Sequence, residues 1–142
     1  NTGSFLGQTR TLSTIFADMM FKYKGFSVMG EYAIKSSDES PVFVDEEDGL
    51  EYNFITGSAL NIQVGYLLPS DWELAARFTS VTPELVAPEF VQAQDNVSMY
   101  TLGVSKYIDG HNLKVQSDFS MIQEGEMEAS YLARLQFELS FN

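Results

Sequence analysis

Residues 131–142 read YLARLQFELSFN. From Tyr131 onward every second residue (Ala133, Leu135, Phe137, Leu139, Phe141) is apolar, while the intervening positions include Arg134, Gln136, Glu138 and Ser140. Successive side chains of a strand point to opposite faces, so this segment is a ribbon with one oily side and one polar side. The fold turns on what the oily side meets, a protein core or lipid.

The same period of two recurs through the chain. Ile15, Ala17, Met19, Phe21 and Tyr23 alternate with Phe16, Asp18, Met20, Lys22 and Lys24 before Gly25 turns the chain. Phe26, Val28, Gly30, Tyr32 and Ile34 then alternate with Ser27, Met29, Glu31, Ala33 and Lys35, which predicts a hairpin. Further alternating runs start at Leu60, Trp72, Tyr100 and Leu113, separated by PSD at 69–71 and DGHN at 109–112, both composed as tight turns. This predicts seven strands of roughly 8 to 12 residues, with residues 1–12 a loop or weak strand. Connections alternate between tight (24–25, 69–71, 109–112) and longer (37–54, 81–96, 122–128), as in an up-and-down meander with turns at one end and loops at the other.

Composition narrows the function classes. The chain has 142 residues, 44% hydrophobic, enough for one domain with a sizeable apolar surface. It has no cysteine, so disulfides and thiolate metal sites are excluded. Twenty acidic residues against eight basic ones give a formal charge of -12, the wrong sign for nucleic acid. The acidic stretch DEEDGLE at 45–51 lacks the ligand spacing of a calcium loop, and neither a metal nor a cofactor is expected. The single histidine, His111, falls in a turn, and no serine lies in a Gly-x-Ser-x-Gly setting, so an enzyme is not expected. No apolar run reaches the ~20 residues of a spanning helix, and mean hydropathy is -0.09. A spanning β-strand needs only ~9 to 11 residues with alternate ones apolar, so the average hides it.

Three signals favour lipid outside. Aromatic residues gather at the strand ends of the apolar face, with Tyr23, Phe26, Tyr66, Trp72 and Phe141 near the turns and Tyr100 and Tyr131 toward the loops, forming two girdles around an aliphatic band. Ten steps of ~3.3 Å from Tyr131 to Phe141, tilted by ~40°, rise about 25 Å, the height of a bilayer-facing band. Charge collects on the other face: basic Lys22, Lys24, Lys35, Arg77, Lys114 and Arg134, acidic Asp18, Glu31, Glu73, Asp118 and Glu138. A water-filled lumen selects by such charges, and these six basic residues mark a path for small anions or other polar solutes. A small ligand-binding barrel, soluble with its oily face inward or closed with eight strands, reads the same way and is the alternative.

FADMMFKYKGFSVMGEYAI, VGYLLPSDWELAARFTSVTPE, YTLGVSKYIDGHNLKVQSDFS and ARLQFELSF resemble, in order, the C-terminal strands of the phosphate-selective porin O and P family. The resemblance covers the chain from about Ser13. It implies an all-β, transmembrane, antiparallel up-and-down barrel of sixteen strands, of which this chain would be a C-terminal fragment of about seven. It also implies the outer membrane of a Gram-negative bacterium, with lipid and lipopolysaccharide as surroundings and a homotrimer as one possible assembly. Arg77 in ELAARF and Arg134 in LARLQF stand in similar settings, in keeping with the family's basic lumen. Phe137, Leu139 and Phe141 resemble the C-terminal signal read by the barrel-assembly machinery, with Asn142 following the final aromatic.

Overall fold

The computed structural model describes residues 11–37, 42–44, 51–53, 55–84, 95–109 and 113–140. They form β1 (Leu12–Tyr23), β2 (Phe26–Ser37), β3 (Val42–Val44), β4 (Glu51–Asn53), β5 (Gly57–Leu67), β6 (Trp72–Pro83), β7 (Val97–Asp109), β8 (Leu113–Glu124) and β9 (Ser130–Leu139). Seven of these make one antiparallel sheet in the order β1-β2-β5-β6-β7-β8-β9, each strand beside its sequence neighbour among the long strands. No helix occurs among the described residues.

The expected hairpin is present and its geometry follows from two residues. Tyr23 pairs with Phe26 across the loop Lys24-Gly25, and both loop residues have positive φ, 45° and 84°. Those signs belong to a type I′ turn, whose twist matches that of the flanking strands. Gly25 is needed for a further reason: a Cβ there would stand 2.6 Å from the Leu67 carbonyl oxygen, because Leu67 N–H donates to Gly25 O at 2.8 Å. The turn at 69–71 also matches expectation. Leu68 N–H donates to Trp72 O at 2.7 Å, and Asp71 takes a left-handed φ of 60°.

Several boundaries differ from the sequence reading. β1 begins at Leu12, the last residue of the stretch expected to be a loop or weak strand, because Leu12 and Ser13 find partners in Ser37 and Ser36. β6 continues to Pro83, shortening the second long connection. The first long connection contains β3 and β4, a two-stranded ladder of three residues each, Val42↔Asn53 to Val44↔Glu51. Three residues are too few for a period of two to show. The DGHN turn lies mostly outside the described residues, and the β7–β8 pairing shifts register between Tyr107 and Asp109.

Registers carry the alternation across the whole sheet. One row reads Phe21, Val28, Val64, Ala76, Leu102, Phe119, Ala133, entirely apolar. The adjacent row on the opposite face reads Lys22, Ser27, Gly65, Ala75, Gly103, Asp118, Arg134. A one-residue slip anywhere would swap the faces, so seven strands in phase fix one continuous oily surface.

Burial on this sheet runs opposite to that of a soluble fold. Apart from Gly65 and Pro83, the buried residues among those described are small and polar: Thr56, Thr101, Ser105 and Ser120, the last wholly buried. The large apolar residues are out, Leu102 at 67% and Tyr23, Tyr100, Phe119 and Tyr131 all exposed. No second layer of described structure covers the oily face. Among the described residues the sheet is a wall edged by β1 and β9, and both edge strands run from the loop end to the turn end.

Candidate functional site

The polar face is where charged and hydroxyl side chains converge, and each was placed there by phase. Asp18 and Lys22 project from β1, Glu31 and Lys35 from β2, Glu73 and Arg77 from β6, Lys114 and Asp118 from β8, Arg134 and Glu138 from β9. Lys24 departs from expectation. It sits in the type I′ turn rather than on a strand face, with its Nζ 5.3 Å from the centre of the Tyr23 ring.

Asp118 and Arg134 are cross-strand partners, and Arg134 Nε donates to Asp118 Oδ1 at 2.9 Å. Arg77 has no such carboxylate. Its neighbours in the row are Gln63 and Thr101, and its Nε is buried without a hydrogen-bond partner among the described residues. The two arginines therefore differ despite similar flanking sequence. Arg134 shares a row with Ala75, whereas Arg77 shares one with Thr101, Ser120 and Leu132. Thr101 is engaged elsewhere, its hydroxyl 2.8 Å from that of Ser120.

Nearer the turns, Tyr107 O–H donates to Glu73 Oε2 at 2.6 Å, and the Lys114 ammonium lies 5.3 Å from the Tyr107 ring centre. Lys114 stands opposite Glu138 on β9. Gly65, buried beside Ser27 and Glu73, leaves room for their side chains: a Cβ there would meet Ser27 Oγ at 2.8 Å and Glu73 Oε1 at 3.2 Å. Lys22, Lys24, Ser27, Asp71, Glu73 and Tyr107 border a concavity of about 470 Å³ at this end. The sequence reading missed Tyr107, whose role depends on a partner 34 residues away.

The apolar face also shows order. Tyr23, Phe26 and Tyr66 are consecutive partners at the turn end, with Trp72 one strand further on. Toward the loops Phe78 and Tyr100 pack with ring centres 5.0 Å apart, and Phe119 and Tyr131 at 5.8 Å. Phe137 and Leu139 are exposed on this face, while Phe141 lies outside the described residues. Lys106 is a basic residue on the oily face that sequence reasoning passed over. It stands opposite Trp72, and its Nζ donates to Ser70 O at 2.6 Å and lies 5.5 Å from the Trp72 ring centre. Its apolar stem runs along the face and its ammonium reaches the polar turn.

Among the described residues no group of acids or histidines has metal-site geometry, and no helix is long and apolar enough to cross a membrane, which says nothing of crossing by strands. Comparison with protein-family models, curated proteins and solved structures finds no match to this chain.

Proposed function

We propose that this chain forms a section of the wall of an outer-membrane diffusion channel of the phosphate-selective porin O and P kind. Its oily face meets lipid and lipopolysaccharide acyl chains, and its polar face lines a water-filled lumen that passes small hydrophilic solutes, anions such as phosphate among them.

The inverted burial supports this reading most. A soluble barrel withdraws its apolar face and exposes its polar one, whereas here Ser120 is wholly buried and Leu102, on the adjacent strand and opposite face, is 67% exposed. Lipid removes the penalty on the oily face, because hydrocarbon outside is as apolar as a core. Aromatic residues at both strand ends and the reach of Lys106 to Ser70 fit interfacial belts at the two headgroup levels. On the lumen side Arg134 is balanced by Asp118, so anion attraction falls to Arg77 and the lysines.

The test is solubility and conductance. The chain is expected to need detergent to stay in solution, and the barrel that contains it to give reversal potentials favouring anions in a planar bilayer. A monomer stable in plain buffer would overturn the membrane reading; cation preference would overturn the anion path.

A further inference from the structure

On β1 and β2 the polar face changes character. Phe16 and Met20 flank Asp18 on that face and, like the rest of β1, are exposed, which puts apolar surface on both sides of the carboxylate. Directly opposite Asp18 stands Glu31, itself flanked by Met29 and Ala33. Like charges facing each other across two strands repel. Among the described residues no cation pairs with either carboxylate. The lysines of these strands, Lys22 and Lys35, lie four residues along from Asp18 and Glu31, about 13 Å of strand away. The next strand, β5, has no basic residue.

Glu31 is also held in place. Its Oε2 accepts a hydrogen bond from Asn61 Nδ2 at 2.7 Å, and Asn61 Oδ1 accepts one from Thr79 Oγ1 at 3.1 Å, a relay across β2, β5 and β6 that keeps the carboxylate beside Asp18. Phe16, Asp18, Glu31, Ala33, Asn61 and Thr79 border one concavity of about 420 Å³. That lies within the roughly 300 to 1,000 Å³ usual for small-molecule sites.

We propose that this amphipathic patch binds a small organic cation with an apolar body. The ammonium group sits between Asp18 and Glu31 and relieves their repulsion, while the body lies against Phe16 and Ala33, the ring adding attraction for the cation. Charge complementarity chooses the occupant. A neutral amphiphile would leave the carboxylates opposed, and a divalent metal ion would want six or more oxygens and gain nothing from Phe16 or Ala33. The inference does not rest on anion passage: it needs only that the polar face meets water, as it does in the channel reading and in a soluble barrel alike.

The experiment titrates the full chain, folded in non-ionic detergent with methyl-¹³C methionine, with hexylammonium, hexanol and calcium in turn, empty micelles serving as reference. Hexylammonium should shift the Met20 and Met29 methyl signals and bind at least tenfold more tightly than to the D18N/E31Q variant. F16A should weaken binding several-fold. E31Q alone keeps an acceptor for Asn61 and carries the same test if the double variant does not fold. Unchanged affinity in the carboxamide variants, equal binding of hexanol, or tighter binding of calcium would each overturn the proposal.

Discussion

Thr101 and Ser120 face each other on β7 and β8 with hydroxyl oxygens 2.8 Å apart, both buried and Ser120 wholly so. Each satisfies the other in a place water does not reach. Thr101→Val keeps the shape and removes one partner, leaving the Ser120 hydroxyl buried and unpaired, at a cost of about 1 to 3 kcal/mol. T101V/S120A removes both polar groups and should recover part of that loss. Urea titrations of wild type, both single variants and the double variant, all in the same detergent, read the coupling directly; strictly additive losses would mean that the bond contributes nothing.

Leu102, one residue from Thr101 and on the other face, separates lipid from water as its surroundings. On a water-exposed sheet Leu102→Arg would be almost neutral, since the side chain is already 67% out. At the middle of a bilayer an arginine costs about 2 to 4 kcal/mol. We expect the larger figure when folding into vesicles is followed by the tryptophan fluorescence of Trp72.

The turn at Lys24-Gly25 is sensitive for a different reason. Gly25→Ala puts a Cβ at a φ of 84° and 2.6 Å from Leu67 O, so both the conformation and the contact are strained. A loss of about 1 to 3 kcal/mol is expected. Lys24→Asn should leave stability unchanged or slightly raised, because Asn-Gly is the pair a type I′ turn favours. Equal effects of the two substitutions in a melting experiment would exclude this account of the turn.

Asp118 and Arg134 form a pair of unequal exposure, the Arg134 side chain half open to solvent and that of Asp118 largely covered, so D118N should change stability by no more than about 1 kcal/mol, whereas R134Q leaves a covered carboxylate unpaired and should cost about 1 to 3 kcal/mol. On the channel reading proposed above, both should also change permeation. D118N leaves Arg134 uncompensated and should move the reversal potential of the assembled channel toward anions, and R134Q should move it the other way. Shifts in the same direction would remove this pair from the lumen.

The strands and their faces were legible because period two is a local property: Tyr131 to Leu139 states its own phase without a partner. What depended on pairing was not. Lys24 was assigned to the polar face by extending the alternation one residue into a turn whose positive φ values end it. Arg77 and Arg134 looked equivalent from their flanking residues, yet turn lengths and registers put them in neighbouring rows, one with a carboxylate and one without. Lys106 continues the phase of Tyr100, Leu102 and Val104, so its place on the oily face was readable; its escape to Ser70 was not. The Glu31, Asn61 and Thr79 relay joins residues 30 and 18 positions apart and leaves no trace in any short window.

β1 and β9 point the same way, and this parity governs what can complete the wall. Rolling the sheet until its own edges touch would create a parallel seam in an otherwise antiparallel ladder. Two copies arranged around a common axis along the strands would create two such seams. A cylinder antiparallel throughout must therefore insert an odd number of strands between β9 and β1. Both outermost members of that insert start at the end where Lys24 and Gly25 turn.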